Sequence, residues 1–479
     1  MTDVDKTAGS VGSRPSEFSG REFVVVGLGE SGVAATRTLL EYGAKVTVND
    51  SRALDDLGER AVQVREMGAK LKLGGHRAEW FLDADAIVVS PGVPFLPALA
   101  DAEQRRIPIW SEVELASRFV KSPIIAITGT NGKSTVTTLV GCMCAQGGFA
   151  TFVGGNLGTP LVEVAGSEAA ESTGRVVAEV SSFQLERVDA FHPHIAALLN
   201  VSEDHLDRYD SYAHYTATKG RIFHNQKRED HSVILAGDER LFALARVGLG
   251  TLHQFGYGGE VRLEDDNVVD EVSGLCVPVS ELSLHGEHNA LNACAAALLG
   301  RLAGVTSDVV EDVLRSYSGL PHRMQLVSVV DDVSFYDDSK ATNVGAAVAA
   351  AVSAQKDHAH LMLILGGVDK GGSYHPLAQR LRKGFDHAIL LGSAAGRIAQ
   401  ALLTADISFD RVGSLGAAVY RAAELAPVGS AVLLAPACSS FDMFHNYVDR
   451  GQCFRTAVEQ LARTKSQGRF SDETEGGGG

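Results

Sequence analysis

The 479-residue sequence has no run of about 18 consecutive apolar residues, the length that a membrane-spanning helix requires. Its first 20 residues are polar and acidic and lack the apolar core of a secretory signal peptide. Its six cysteines include no C-x-x-C pair. Together these absences predict a cytoplasmic protein with free thiols and no membrane partner.

Basic residues are in deficit, because 43 Lys and Arg stand against 59 Asp and Glu, a net charge of −16. This balance argues against a surface for nucleic acid or anionic lipid. Small anionic ligands remain open, since a local nest of backbone N–H groups can bind phosphate on an acidic protein. We therefore expect small-molecule partners, no nucleic acid, and a monomer.

Two hydrolase patterns are also missing. No G-x-S-x-G segment occurs, which removes the usual serine-hydrolase elbow. The histidine-rich segment 285–289 reads His-Gly-Glu-His-Asn, which is not the H-E-x-x-H pattern of zinc proteases. The chemistry must therefore come from other motifs.

Glycine is abundant, with 51 residues against 13 prolines, and short apolar runs repeatedly precede glycine turns and helix-like stretches. This alternation predicts an α/β fold with parallel sheets covered on both faces. Candidate joints at 121–123 and 319–321 divide the chain into three α/β domains of ordinary size. The predicted ranges are a disordered 1–20, domains at 21–120, 121–320 and 321–465, and a disordered tail at 466–479.

The strongest chemical signal is segment 128–135, Thr-Gly-Thr-Asn-Gly-Lys-Ser-Thr, which follows an apolar strand and precedes a helix expected to begin near Thr135. A helix start directs free N–H groups at a phosphate, and the helix dipole favours negative charge. Lys133 is placed to reach the outer phosphates of a nucleotide, and the Ser134 hydroxyl to bind Mg²⁺. A strict phosphate loop would have glycine at Ile127, so this is a variant; the competing interpretation is a structural turn.

A second glycine loop, Gly27-x-Gly29-x-x-Gly32, has the dinucleotide fingerprint and also follows a strand. Asp50 ends another strand about 20 residues later, where a ribose-binding acid is expected. The glycines only permit close backbone approach, so NAD(P), another nucleotide diphosphate and a structural turn all stay open. We favour the nucleotide diphosphate.

Three further polar sites follow apolar strands, where α/β sheets bind ligands. Glu179 ends one strand and is a candidate for Mg²⁺ or its water. His205 lies among acids in segment 201–207 and is a candidate cation ligand. Asp338 and Lys340 follow another strand and could serve a phosphate or a substrate. Solvated or structural roles remain the alternatives for each.

Several segments in chain order resemble those of the Mur ligases and their folylpolyglutamate synthetase relatives. The resemblance is carried by 129–135, 154–158, 179–185, 200–209, 288–289, 319–323 and 337–343, and it covers nearly the whole chain. It implies a Rossmann-like first domain, a central P-loop-type ATP-binding domain and a Rossmann-like last domain. Gly27-Leu28-Gly29, Ser90-Pro91-Gly92 and segment 338–343 resemble the D-glutamate-adding member.

The resemblance implies an ATP-dependent ligase of peptidoglycan precursor synthesis that adds D-glutamate to UDP-N-acetylmuramoyl-L-alanine through an acyl phosphate. ATP, two Mg²⁺ ions and a lysine carbamate derived from CO₂ would assist. The rival hypotheses are another Mur ligase or a polyglutamate synthetase, an NAD-dependent oxidoreductase built on the first glycine loop, and a nucleotide-binding regulator.

The resemblance also implies residue roles. The substrate's uridine diphosphate would meet Gly27, Leu28, Gly29, Glu30, Ser31, Gly32, Asp50, Ser51, Arg52, Ser90, Pro91, Gly92 and Asn156. ATP would meet Gly129, Thr130, Asn131, Gly132, Lys133, Ser134, Thr135, Asn289, Asn292, Arg323 and Asp338. The implied catalytic residues are Lys133, Glu179, His205 and Lys219, and the implied metal ligands are Ser134, Glu179, His205 and carbamylated Lys219. D-Glutamate would meet Lys340, Thr342, Lys370, Ser440 and Tyr447.

Two of these positions depart from the family pattern. Tyr447 stands where phenylalanine is expected, which would keep aromatic stacking. Val368 interrupts the glycine- and acid-rich turn expected before Lys370. Unassisted by the resemblance, Lys219 would be taken for a solvated helix residue.

Overall fold

The computed structural model describes residues 17–205, 208–284, 286–317, 319, 321–370, 373–381 and 387–475, with backbone alone for 466–475. It contains three sheets, as the sequence predicted. The described residues form two compact units. The first unit lies within Met1–Val201, Thr216–Glu281 and Leu291–Arg315, and the second within Ser202–Tyr215, Leu282–Ala290 and Ser316–Gly479.

The first sheet is parallel, with strand order β3-β2-β1-β4-β5. Its strands are β1 (Glu22–Val26), β2 (Lys45–Asp50), β3 (Lys70–Leu73), β4 (Ala86–Val89) and β5 (Ile109–Ser111). The helices are α1 (Glu30–Glu41), α2 (Leu54–Leu57), α3 (Glu59–Glu66), α4 (Ala100–Gln104) and α5 (Glu112–Ser117). Strand order reverses at β1, which opens a crevice at the carboxyl ends of the strands.

The second sheet has nine strands in the order β14-β13-β12-β11-β10-β9-β6-β8-β7. They are β6 (Ile124–Thr128), β7 (Thr151–Gly155), β8 (Arg175–Glu179), β9 (Ile195–Leu198), β10 (His231–Leu235), β11 (Thr251–Phe255), β12 (Val261–Glu264), β13 (Asn267–Asp270) and β14 (Leu275–Pro278). The helices between β6 and the start of the third sheet are α6 (Lys133–Gln146), α7 (Ser182–Leu185), α8 (Tyr212–Gly220), α9 (Glu239–Ala245), α10 (Glu287–Leu302) and α11 (Ser307–Ser316).

The antiparallel pairs β12–β13 and β13–β14 were not expected from a purely parallel pattern. Asp265 and Asp266, the two residues that join β12 to β13, both have positive φ, at 48° and 58°. Aspartate tolerates this conformation better than most residues, and it matches the turn that closes a two-residue hairpin. A pair of acids therefore substitutes for the glycine that usually signals such a turn.

The third sheet has the order β15-β16-β20-β17-β18-β19, parallel except for β15. Its strands are β15 (Gln325–Val330), β16 (Val333–Asp337), β17 (Leu361–Gly366), β18 (His387–Leu391), β19 (Phe409–Arg411) and β20 (Ala431–Leu434). The helices are α12 (Val344–Asp357), α13 (His375–Leu381), α14 (Ala395–Thr404), α15 (Leu415–Leu425) and α16 (Tyr447–Glu475).

Burial explains why continuous apolar runs form the inner strands. In β17, Leu363 and Leu365 pack into one core cluster, while Met362 and Ile364 pack into the cluster on the opposite face. Side chains alternate between faces along a strand, so a strand that is covered twice must be apolar throughout.

The chain ends differ from the expected disorder where they are described. Phe18 is 1% exposed and its ring stacks on that of Phe119, with ring centroids 4.7 Å apart. This aromatic contact orders the residues just before β1, which their polar composition predicted to be disordered. α16 continues to Glu475, since no proline interrupts it after 465. Residues 1–16 and 476–479 of the predicted disordered ends, and Leu320 of a predicted joint, lie outside the described residues.

Across the part of the chain that the structure describes, no helix combines the length and the apolar character required to traverse a bilayer.

Candidate functional site

The central glycine loop connects β6 to α6. The helix begins at Lys133, two residues earlier than the sequence suggested, because Gly132 caps it in a left-handed conformation with φ +82°. A Cβ on Gly132 would lie 2.3 Å from the side-chain oxygen of Asn292, so only glycine fits there. The loop therefore lies against α10.

Asn200 holds the loop from the neighbouring strand end, beyond β9. Its backbone oxygen accepts a hydrogen bond from Thr130 N at 3.0 Å, and its side chain bonds both Asn131 N at 2.9 Å and Asn131 O at 3.0 Å. Three bonds from one residue fix the backbone before any ligand arrives. Such preorganisation lowers the ordering cost of binding.

Two lysines meet at one backbone oxygen of this loop. Lys133 Nζ donates to Gly129 O at 2.9 Å and to Thr130 O at 2.8 Å. Lys219 Nζ also donates to Gly129 O, at 2.8 Å, although its side chain is buried and only 2% of the residue is exposed. Two ammonium groups within hydrogen-bond distance of one atom create a positive centre, and an anion is the natural ligand for it.

The acid at the end of β8 lies in the same unit. Glu179 is 1% exposed, and its Oε1 accepts a hydrogen bond from Asn156 Nδ2 at 2.7 Å. Asn156 N also donates to Glu179 O, at 2.8 Å, so the predicted substrate residue Asn156 orients the predicted metal ligand. Ser134 is buried in the first turn of α6.

This donor set fits magnesium. Within the described ranges no three His, Cys, Asp or Glu side chains gather into a metal cluster. Mg²⁺ does not need one, because it keeps several waters and takes one or two protein oxygens together with phosphate oxygens. Ser134 and Glu179 offer a hydroxyl and a carboxylate of the required hard character.

The amino-terminal glycine loop is organised by Asp50. Its Oδ2 accepts from Leu28 N at 2.7 Å, and its two oxygens receive Arg52 Nε at 3.0 Å and Nη2 at 2.9 Å. Burial works to raise the pKa of Asp50, but these hydrogen bonds outweigh it and lower that pKa to about 2. The carboxylate is thus engaged by Leu28 and Arg52 in this structure.

Ser90 and Gly32 close the same loop. Ser90 Oγ donates to Gly27 O at 2.9 Å, and a Cβ on Gly32 would lie 1.9 Å from that same oxygen. Gly27 itself has φ +90°. Gly27 and Gly32 are therefore required by close packing around the carboxyl ends of β1 and β4.

In the second unit, the predicted ATP residue Asp338 directly follows β16, and Arg323 precedes β15. Burial raises the pKa of Asp338 to about 7, although the charge of Arg323 acts in the opposite direction. The preceding Asp337 bonds His322, with Oδ2 and Nδ1 2.7 Å apart in a buried contact. This acid–histidine pair fixes the turn that precedes Arg323.

Predicted D-glutamate residues occur in the same unit. Lys340 Nζ lies 3.9 Å from the ring centroid of Tyr447, a cation–π contact between two of these residues. Lys370 Nζ lies 3.5 Å from Asp204 Oδ1, and Asn343 Nδ2 donates to Asp204 Oδ2 at 3.1 Å. A carboxylate therefore already contacts Lys370 in this structure.

The predicted site residues divide between the units. The first unit brings together the loop 129–135 with Asn156, Glu179, Lys219 and Asn292, and it also contains the uridine-diphosphate set. The second contains the following: His205, Asn289, Arg323, Asp338, Lys340, Thr342, Lys370, Ser440 and Tyr447.

Sequence reasoning assigned no separate role to three residues that support these sites. They are Asn200, which holds the phosphate loop, Asp204, which pairs with Lys370, and Arg450. Arg450 is buried and donates to Ser339 O at 2.8 Å and to Cys438 O at 3.2 Å. Asn200 was signalled by a polar residue directly after an apolar strand, whereas Arg450 carries no local signal because its partners lie far away in sequence.

A glycine loop between a buried strand and a helix, with two lysines and an acid beside it, defines a nucleotide-binding α/β protein. Comparison with known families is more specific. The Mur ligase MurD-like N-terminal domain matches 21–111, the Mur ligase middle domain 127–300 and the Mur ligase glutamate ligase domain 322–438. The chain belongs to the Mur ligase family.

Curated relatives cover more than nine-tenths of the chain. A UDP-N-acetylmuramoylalanine–D-glutamate ligase from Pelobacter propionicus is 43% identical over 456 residues, covering 93% of this chain and 100% of the relative. Another, from Desulfosudis oleivorans, is 41% identical over 456 residues, covering 94% and 98%.

Solved structures show the same fold at low identity. A pseudomurein peptide ligase type C from Methanothermus fervidus has a TM-score of 0.60 at 18% identity and covers 92% of this chain and 100% of its own. UDP-N-acetylmuramate-alanine ligase MurC from Thermotoga maritima has a TM-score of 0.57 at 20% identity, with coverage of 92% and 100%.

Proposed function

We propose that this protein is an ATP-dependent ligase that joins D-glutamate to UDP-N-acetylmuramoyl-L-alanine in peptidoglycan precursor synthesis, releasing ADP and phosphate. The observation that carries the proposal is the identity of 41–43% over more than nine-tenths of the chain to ligases of that name. The central loop with its paired lysines supplies the matching chemistry.

The reaction needs activation because a carboxylate does not react with an amine. Transfer of the γ-phosphoryl group to the substrate carboxylate makes an acyl phosphate. The amine of D-glutamate attacks its carbonyl carbon, a tetrahedral intermediate forms, and phosphate leaves with the C–O bond electrons. Catalysis of both steps is chiefly positioning and neutralisation of negative charge.

Lys133 is assigned to the γ-phosphate. Its ammonium now contacts the carbonyls of Gly129 and Thr130, so it needs only a side-chain rotation to reach an anion in the loop. The backbone N–H groups at the start of α6 would receive the remaining phosphate oxygens. Asn289, Asn292, Arg323 and Asp338 complete the proposed ATP set.

Ser134 and Glu179 would hold one Mg²⁺ and His205 a second, with bound magnesium supplying charge neutralisation at the phosphates. Lys219 is proposed to carry a carbamate. Its burial beside Gly129 O supports this, because a carbamate there would replace a buried ammonium by an oxygen ligand for the cation.

The two remaining substrates take the other residues. The pyrophosphate is assigned to the loop 27–32, and uracil and ribose to 50–52, with 90–92 and Asn156 completing that pocket. D-Glutamate is assigned to Lys340, Thr342, Lys370, Ser440 and Tyr447. A monomeric state and a cytoplasmic location form part of the proposal, since the substrates are water-soluble nucleotides and amino acids.

A substrate panel tests the function. The purified chain with UDP-N-acetylmuramoyl-L-alanine, ATP and Mg²⁺ is given D-glutamate, L-alanine or L-lysine in turn, with phosphate release and product mass as readouts. D-Glutamate should give a product whose mass rises by glutamate minus water. Equal phosphate release with all three amino acids would contradict the assignment.

Acetate rescue tests the carbamate. Lys219→Ala should lose most activity and regain part of it with acetate, because a small carboxylate can supply the missing oxygen ligand. Lys133→Ala is the matched control and should gain nothing, since it lacks a positive charge. Failure of every small acid to rescue Lys219→Ala would contradict the carbamate.

A further inference from the structure

A line of polar contacts crosses the third sheet near the carboxyl ends of β17 and β20. Tyr374 OH lies 2.8 Å from Asp369 Oδ1 and 3.1 Å from Cys438 Sγ. Asp369 Oδ2 pairs with Arg397 Nη1. Tyr374 is only 6% exposed, so its hydroxyl is satisfied by these side chains within the protein.

Counting the available protons assigns a donor and an acceptor to each of these hydrogen bonds. An ionised Asp369 only accepts, so the single Tyr374 proton is donated to it. The contact with Cys438 must then be S–H donating to the tyrosine oxygen. Burial raises the pKa of Cys438 to about 11, which keeps the thiol protonated near neutrality. The chain of donors therefore runs from Cys438 through Tyr374 to Asp369, with Arg397 neutralising the acid.

The same contacts fasten two backbone segments together. Val368 N donates to Ser439 O at 2.8 Å, and Ser439 N donates to Val368 O at 3.1 Å, a two-way bridge. Asp369 and Cys438 flank this bridge, one on each segment. The next residue after Asp369 is Lys370, and Ser440 follows Ser439. Both are assigned to D-glutamate.

We propose that Tyr374, Asp369 and Arg397 are positioning residues that set the separation of Lys370 and Ser440 for an acidic amino-acid substrate. This inference rests on the proposed function. Lys370 has a long flexible side chain, so the place of its backbone decides where its charge can reach. A site displaced by about 1 Å loses much of its binding advantage.

The hydroxyl of Tyr374 is tested with Tyr374→Phe, which keeps the ring. Loss of its two buried hydrogen bonds, to Asp369 and to Cys438, should raise the KM for D-glutamate about fivefold to tenfold, leaving kcat and the KM for ATP within about twofold. Tyr336→Phe is the matched control, because the Tyr336 hydroxyl bonds His358 at 3.1 Å in the same sheet, on a different set of residues. It should leave the KM for D-glutamate unchanged.

The ion pair is tested with Arg397→Gln. Because Arg397 is about half exposed, its loss should raise the KM for D-glutamate only about twofold to threefold. Arg421→Gln removes a comparable surface pair with Asp410 and should have no effect on that KM.

Amide hydrogen exchange without substrates separates this inference from the proposed function. Tyr374→Phe should speed exchange at Val368 and Ser439, whereas Tyr336→Phe should not. Unchanged exchange at both amides overturns the positioning role whatever the substrate proves to be. Faster exchange with an unchanged KM for D-glutamate also overturns the inference, because the spacing of Lys370 and Ser440 would then not matter for binding this substrate. A uniform rise in all three substrate KM values also overturns it, since that indicates general destabilisation.

Discussion

Two glycine loops in the first unit look alike in sequence but differ in structure. Each follows a buried parallel strand and precedes a helix: 27–29 leads into α1 and 129–132 leads into α6. In the first loop an acid, Asp50, accepts the backbone N–H of Leu28. In the second, two lysines donate to the carbonyl of Gly129. Each loop contains a glycine with no room for a Cβ, Gly32 in the first and Gly132 in the second.

The comparison indicates that the glycine spacing determines the turn, whereas the charged side chains beside the turn determine which ligand suits it. Asp50 and Arg52 neutralise one another, so the first loop presents backbone donors and one restrained guanidinium. At the second loop, Lys133 brings a positive charge to the carbonyl of Gly129, and the buried Lys219 contacts the same oxygen. This difference supports the proposal that the second loop binds the phosphate that is transferred and the first holds a pyrophosphate.

The largest effect is expected from removing the charge of the second loop. Lys133→Ala should lower kcat by about a thousandfold or more, because neutralisation of the phosphoryl transition state is lost. Lys121→Ala, which removes an exposed lysine paired with Glu171 at 3.0 Å, is the matched control. Steady-state phosphate release measures both, and similar rates for the two variants would remove the loop from catalysis.

Next in size is the packing of the first loop. Gly32→Ala would place a Cβ 1.9 Å from Gly27 O and should lower the free energy of unfolding by about 2–4 kcal/mol, since backbone must move. Gly29→Ala meets nothing within 4 Å and is the control for stability. Urea unfolding measures the difference. Equal midpoints would mean that Gly32 is not required by packing.

The smallest effect concerns Asp50. Asp50→Asn should raise the KM for the uridine-linked substrate about tenfold with little change in kcat, since Leu28 and Arg52 lose a charged acceptor.

The same carboxylate should make stability depend on pH. Because the pKa of Asp50 is lowered from 3.8 to about 2 in the folded protein, its contribution to the free energy of unfolding is complete above pH 3.8 and is lost as pH falls through 2. The free energy of unfolding, measured between about pH 5 and pH 2, should therefore fall more steeply for the unsubstituted protein than for Asp50→Asn. Equal pH dependence in the two proteins would contradict this contribution of Asp50.

Local patterns predicted much of the fold. The apolar runs at 86–89 and 431–434 coincide with β4 and β20, because a doubly covered strand must be apolar throughout. The start of α6 was misplaced by two residues, since capping by a left-handed Gly132 leaves no side-chain signature. The hairpin of β12 and β13 was missed because its turn uses Asp265 and Asp266 instead of glycine.

The site was predicted less completely than the fold. The loop around Lys133 has a pattern of its own, whereas the role of Lys219 came only from family resemblance. Tyr374 and Cys438 touch across 64 positions of sequence, so no local rule could pair them. Side chains that act by supporting others depend on tertiary packing and leave no periodic trace.

Oxygen tracing tests the central claim most directly. The parent protein is given UDP-N-acetylmuramoyl-L-alanine labelled with ¹⁸O in its terminal carboxylate, together with ATP, Mg²⁺ and D-glutamate, and the phosphate product is weighed by mass spectrometry. The account predicts that each phosphate released carries one oxygen atom from that carboxylate. Phosphate that contains no such oxygen while the amide product accumulates would contradict phosphoryl transfer to the acid.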